Sequence, residues 1–181
     1  ERTCLRGLPY PDLDTTMSKG SWQAALLAAG GAIAACKAVL DKQFDNIFWA
    51  MRPPGHHAER DHAMGFCLFN NVAVAARWLR EVAGLSRVAI LDWDIHHGNG
   101  TQDIFYEQPE VLYVSLHGNP DRSYPYFSGF ADETGEKLGK GYNVNIPLPA
   151  GVGDDEYRKY LDKALKKVKN YKPWAVIVSL G

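Results

Sequence analysis

The stretch "RVAILDWDIHHGNG", residues 87–100, constrains this chain most. Val88 to Leu91 are apolar at every position, so the segment has no polar face to turn to water. A strand of that kind belongs inside a sheet covered on both sides, the arrangement of parallel α/β sheets. The run passes without a break into Asp92, Asp94, His96 and His97, and then into glycines. Burying two carboxylates and two imidazoles at the end of a core strand costs free energy unless each is paired or holds an ion.

The rest of the chain alternates helical and strand-like periodicity. Residues 18–42 read as a long helix with Ser18 as its cap, and 46–51, "NIFWAM", as a short apolar strand stopped by "RPPGHH". A second helix spans 70–83, with Val72, Ala75, Ala76, Leu79 and Val82 on one face. A short helix follows through "TQDIFYE", then a second buried strand at 111–117, "VLYVSLH". Residues 119–145 read as a long loop rich in Gly, Pro and Tyr. The helix at 153–170 turns Tyr157, Leu161, Ala164, Leu165 and Val168 inward, and "WAVIVSLG" is a final buried strand. Strands alternating with helices give an α/β domain, three layers αβα around a mainly parallel sheet.

Composition narrows the function classes. The 181 residues suffice for one domain, 1–181, with a real core. The net charge of −1 gives no field to gather nucleic acid or an anionic membrane. The acids Asp154, Asp155 and Glu156 open the last helix, and Lys163, Lys166, Lys167 and Lys169 close it. That polarity suits the helix dipole, so these lysines read as a solvated face. The alanine-rich run 22–40 is apolar enough to mimic a membrane span. Gly30, Gly31, Gln23 and Lys37 interrupt it, and a buried amphipathic helix is the expectation. Cys4, Cys36 and Cys67 stand far apart, which argues against a disulfide framework and suits a reducing, cytoplasmic setting.

Ligands of parallel sheets sit beyond the carboxyl ends of the strands. Five of the six histidines, at 56, 57, 96, 97 and 117, fall at such ends. Asp92, Asp94 and His96 share the i, i+2, i+4 spacing that points side chains one way in an extended chain. Carboxylate with imidazole and no thiolate suits Zn²⁺ or a similar ion, which in catalytic sites takes ~3 protein ligands. Asp94 and His96 are the candidate ligands, and a third comes from elsewhere. His56 or His57 could serve as general base, oriented by Asp92. Taken alone, the pair reads better as turn residues capping backbone groups; two pairs at adjacent strand ends with two acids favour the metal site.

"RPPGHHAERDHAMGFCLFNN", "LDWDIHHGNGTQ" and "VSLHGNP" together resemble the zinc-dependent deacetylases, which include histone deacetylases and bacterial acetylpolyamine amidohydrolases on the arginase/deacetylase fold. The resemblance covers nearly all of the chain. "LHGNPDRSYPYFSGFADETGEKLGKGYNVNIPLP" is most similar to the acetylpolyamine branch. The resemblance implies Asp94 and His96 as zinc ligands and His57 as the general base and acid. It makes His56 the electrostatic partner of His57, linked to Asp92. It also implies a Gly65 carbonyl facing the substrate amide, and Phe66 and Phe127 flanking a narrow tunnel. A structural potassium ion would be held by the carbonyls of Asp92, Asp94, His96 and Leu116, the Asp92 carboxylate and the Ser115 hydroxyl.

The family's third zinc ligand is an aspartate just after the strand that here ends "VIVSLG", and its oxyanion tyrosine lies further on, so the chain is expected to be an internal piece of a longer enzyme. Asn99 stands where some members carry an aspartate, and a neutral partner should leave His57 less basic. The implied reaction is release of acetate from a small acetylated amine, with a homodimer hinted at by polyamine-type relatives. A protein acetyl-lysine deacetylase and a non-catalytic binding piece are the alternatives. An arginase-type dimanganese site lacks carboxylates here, because position 98 is glycine.

Overall fold

The computed structural model describes residues 13–181; Cys4 lies outside them. Its elements in chain order are α1 (Ser21–Leu40), α2 (Asn71–Glu81), β1 (Val88–Asp92), α3 (Asn99–Phe105), β2 (Val111–Gly118), a 3₁₀ turn (Lys137–Gly139), β3 (Asn143–Leu148), α4 (Asp154–Tyr171) and β4 (Ala175–Ser179). The four strands form one sheet in the order β3-β2-β1-β4, and every pairing is parallel.

The continuous apolar run of β1 is explained by what covers it. Val88 and Ile90 pack with Ala73, Ala76 and Leu79 of α2 and with Phe105 of α3. Ala89 and Leu91 point the other way, onto Ala164 and Val168 of α4. All five residues of β1 are buried, as are the first seven of β2. Two such faces make the expected αβα layering, with α1 packed on the outside of α2.

The edges of the sheet behave differently from the expectation. β4 is half exposed: Ala175 and Ile177 meet the α2 side, but Val176 and Val178 are exposed. The reason is that α4 lies over β1 and β2 rather than over β4. Residues 46–51 form no strand; Phe48 and Trp49 are exposed, and no described strand accepts their backbone. The segment is held instead by Trp49, whose ring lies against Gly31 of α1 where a Cβ would collide with it. At the other edge, β3 occupies part of what reads in sequence as loop. Its inward positions are Asn143 and Asn145, which bond Gln102 Oε1 at 2.8 Å each, so it lacks the apolar alternation that marks a strand. Pro147 fits there because an edge strand has no partner to need its missing N–H.

Helix details also depart. Ser18 does not cap α1; Gly20 holds that position without a side-chain bond, and Ser18 donates its backbone N–H to Ser21 Oγ. α1 is long and apolar enough by composition to cross a membrane, yet it is not a buried helix. It buries only an alanine stripe, Ala25, Ala28, Ala29 and Ala32, and leaves Leu26 and Leu27 exposed. On α2 the cap is Asn70, which accepts from Ala73 N, and Val82 falls past the helix end and is exposed. On α4, Leu165 is exposed while Ala164 and Val168 are buried, a stripe one position narrower than expected.

Candidate functional site

The polar residues at the exits of β1 and β2 converge with the loop at 52–66. Strand β1 stops at Asp92, whose register partners are Ser115 of β2 and Ser179 of β4. Beyond it the chain is not extended. Asp94 N donates to Asp92 Oδ1 at 3.2 Å, and His96 N donates to Asp94 Oδ1 at 2.7 Å. These carboxylates fold the chain back on itself, as aspartates do when they accept from the amide two residues on. The alternate spacing therefore brings Asp92, Asp94 and His96 together by successive turns rather than by strand alternation.

Asp92 is wholly buried, and both of its oxygens accept hydrogen bonds. His56 Nδ1 donates to Asp92 Oδ2 at 2.9 Å, and the Tyr113 hydroxyl donates to the same oxygen at 3.2 Å. His57 lies beside His56, with ring centroids 4.0 Å apart, but takes a different partner. Its Nδ1 donates to Asn99 Oδ1 at 2.8 Å. Since both acceptors are oxygens, each histidine carries its hydrogen on Nδ1 and turns Nε2 outward as a lone pair or a second donor. Burial opposes charge on His56, but the Asp92 carboxylate, by field and hydrogen bond, and then Asp94 outweigh it and raise its pKa. For His57 burial and then the neighbouring His56 push the pKa down to about 3, with the neutral Asn99 giving only partial support.

Asp94 and His96 lie at the rim, the His96 side chain about half exposed and Asp94 Oδ1 3.4 Å from His96 Nδ1. Tyr124 stands edge-on to both His57 and His96, with centroids at 4.9 and 6.0 Å. An oxygen donor beside an imidazole is the borderline-hard set that zinc accepts. In kind, then, the two residues fit such an ion. Among the described residues no third histidine, cysteine or acid joins them. Gly181 closes on this point: a Cβ there would lie 2.5 Å from Asp94 Oδ2.

The other predicted residues have mixed placements. Gly65 adopts φ +57 with its backbone against the His57 ring, a position closed to any residue with a Cβ. Its carbonyl accepts from Cys67 Sγ at 3.3 Å, and its N–H donates to Asp14. Phe66 and Phe127 are both exposed. Phe127 lines a cavity of about 260 Å³ with Glu59, Asn99, Gln102, Asp103 and Glu133. The Ser115 hydroxyl bonds His117 Nδ1 at 2.8 Å, and Leu116 is buried under α4. His97, tandem to His96, turns inward to Ser128 Oγ at 3.0 Å.

Sequence reasoning missed Tyr113, Tyr124 and Glu59. Tyr113 reads as one more core residue of an apolar strand. Glu59 sits in the charged run "AERDH", which resembles a solvated loop. A signal existed for it: an asparagine used as a histidine partner needs something to settle which way its amide faces.

Comparison with known proteins agrees with this architecture. A probable deacetylase of Archaeoglobus fulgidus is 48% identical over 171 residues, covering 94% of this chain and 46% of that protein. The acetylpolyamine amidohydrolase 2 of Pseudomonas aeruginosa is 45% identical over 170 residues, covering 94% of this chain and 49% of that protein. The crystal structure of an acetylpolyamine aminohydrolase from Burkholderia pseudomallei superposes with a TM-score of 0.89 at 45% identity, covering 94% of this chain and 49% of that one. The chain thus spans about half the length of the curated relatives it matches. The family model described as a histone deacetylase domain matches residues 2–181, leaving only the first residue outside it. A match of that extent, on a sheet whose strand exits gather the same histidines and acids that the motifs single out, makes this chain a member of the histone deacetylase domain family.

Proposed function

We propose that the protein to which this chain belongs is a zinc-dependent amidohydrolase that releases acetate from N-acetylated small amines, acetylpolyamines foremost. One observation carries the reading. Two buried histidines, one paired to a carboxylate and one to an amide, stand side by side next to an oxygen and an imidazole donor at the rim. Relatives named for acetylpolyamines support the substrate class.

Asp94 and His96 would hold the zinc, with a third ligand from beyond the described set. Bound there, zinc polarises the amide carbonyl and lowers the pKa of a nearby water. The rest falls to the chain's own side chains. His57, neutral because burial and His56 suppress its charge, receives a proton at Nε2 as the water attacks. His56, held toward the charged form by Asp92, offers positive character beside the developing oxyanion. His57 then returns the proton to the departing amine. The Gly65 carbonyl would accept from the substrate amide, and Phe66 and Phe127 would line the approach for a thin aminoalkyl arm. A potassium ion against the Asp92, Asp94, His96 and Leu116 carbonyls, the Asp92 carboxylate and Ser115 would neutralise the buried carboxylate from the other side. The reading includes a cytoplasmic setting, and the resemblance to polyamine-type relatives hints at a homodimer.

The deciding experiment is a paired assay of the full-length, zinc-loaded protein on an acetylated diamine and on an acetyl-lysine peptide, with zinc stoichiometry from calorimetry. Turnover of the diamine, with zinc binding lost on Asp94→Ala or His96→Ala, is the expected result. Preference for the peptide would move the substrate to protein acetyl-lysine. Absence of zinc binding would end the hydrolase reading.

A further inference from the structure

His57 can take a proton at Nε2 only while its hydrogen is on Nδ1. That tautomer depends on Asn99 presenting oxygen rather than NH₂. Asparagine can present either, since rotation by half a turn exchanges the two. The surroundings of Asn99 Nδ2 break this symmetry. Three acceptors face it: Glu59 Oε1 at 2.6 Å, Met64 Sδ at 3.1 Å and the His57 carbonyl at 3.4 Å. An oxygen turned into that position would meet a carboxylate at hydrogen-bond distance with no proton between them. Glu59 is the charged member of the three, and charge-assisted bonds are about twice as strong as neutral ones.

Glu59 is itself held in place. Its side chain is 18% exposed, its Oε2 lies 3.4 Å from His62 Nε2, and its backbone N–H donates to the His62 carbonyl at 3.1 Å. The adjacent Arg60 does not compete for it, because Arg60 is engaged with Asp103 and the Asp103 carbonyl. The nearest alternative partner for the carboxylate is therefore an exposed histidine, while Asn99 is buried.

We infer that Glu59 is a positioning residue: by accepting from the Asn99 amide it fixes the Asn99 oxygen on His57 Nδ1, and so holds the Nε2 lone pair of His57 toward the reacting centre. The hydrogen-bond geometry stands on its own; its consequence for turnover rests on the hydrolase reading above. An aspartate at position 99 would need no such residue, since its two oxygens are alike. It would also face Glu59 across 2.6 Å as a second carboxylate. Glu59 and Asn99 are thus a matched pair.

The test uses ¹⁵N-histidine NMR of the metal-free full-length protein, which reports the tautomer directly, together with steady-state kinetics of the zinc-loaded protein. Wild type and Glu59→Gln, whose amide oxygen still accepts, are expected to show His57 as Nδ1–H. Glu59→Ala should show a population of Nε2–H, with kcat lower by about tenfold, a fraction of what a general base contributes, and KM unchanged. Adding Asn99→Asp to Glu59→Ala should restore the Nδ1–H form, because the partner no longer needs orienting. A purely structural Glu59 would not show that rescue. Should alanine loosen the loop, Glu59→Leu fills the space and gives the same reading. A single Nδ1–H tautomer in Glu59→Ala with unchanged kcat, or a double variant that is not restored, overturns the inference. If the protein hydrolyses no acetyl amide, the hydrolase reading falls and the tautomer spectra alone decide the role of Glu59.

Discussion

Two walls of one site treat the same side chain in opposite ways. On the sheet side, His56 leans on Asp92, a carboxylate with no exposure at all, and its pKa rises despite burial. On the loop side, His57 leans on Asn99 at almost the same distance, and its pKa falls to about 3. The rings are adjacent, similarly buried and bonded through the same nitrogen. The Asp92 charge on one ring, and the repulsion that His56 exerts on the other, separate them. One wall favours the charged ring and the other the neutral one.

The largest test of this contrast removes each partner in turn. Asp92→Ala strips the carboxylate from His56 and from the Tyr113 hydroxyl, and breaking a buried charged pair by removing one member costs about 3–5 kcal/mol. Asn99→Ala leaves a buried neutral group unpaired and should cost about 1–3 kcal/mol. Urea unfolding of both variants measures the two values. Equal losses would mean that charge is not what distinguishes the walls.

A finer test makes the walls alike. Asn99→Asp, combined with Glu59→Gln to avoid two facing carboxylates, gives His57 a charged partner as well. The pKa of His57 should then rise by about 1–3 units, the usual effect of an opposite charge at contact. An NMR titration of the metal-free protein reads it, and an unmoved His57 would show that burial and the neighbouring His56 set its value.

How far these walls were visible in the sequence follows from the same physics. β1 and β2 announce themselves because strands buried on both faces must be apolar throughout, and the acids that follow stand out against that run. The β3 strand does not, because Asn143 and Asn145 spend its inward face on hydrogen bonds to Gln102. Residues 46–51 look like a strand by composition, but a strand also needs a neighbour's backbone, and periodicity says nothing about neighbours. That Asp92 would hold one of the two histidines could be anticipated, since a buried carboxylate at a strand end demands a partner; that it is His56 is implied by the family resemblance. The His57–Asn99–Glu59 chain could not be read off spacing, because its members come from a loop and a helix start and meet only in three dimensions.

The contrast also predicts a pH response of the metal-free fold. A histidine lowered from 6.5 to about 3 binds its proton more tightly in the unfolded chain, so its contribution to stability is complete above about 6.5 and is lost as pH falls toward 3. His97 and His117, both lowered by burial, act in the same direction. His56 acts in reverse: its contribution is full below its unfolded value and fades as pH rises through its raised folded value. Three groups against one should make the urea midpoint fall on acidification below about 6.5. His57→Gln should flatten that slope, and a midpoint that climbs on acidification would mean the Asp92 wall dominates.

The smallest effect is expected at Met64. Its sulfur is one of the three acceptors around Asn99 Nδ2, at 3.1 Å, and it is buried. Met64→Leu keeps the volume and removes the acceptor, a swap that usually costs less than about 1.5 kcal/mol. If the Glu59 carboxylate sets the amide, His57 should keep its Nδ1 hydrogen in this variant, and its titration should not move. A tautomer shift on Met64→Leu would mean that the weak sulfur contact, and not the charged one, decides which face Asn99 shows to the histidine. The loop-side wall would then owe its tautomer to packing rather than to the carboxylate behind it.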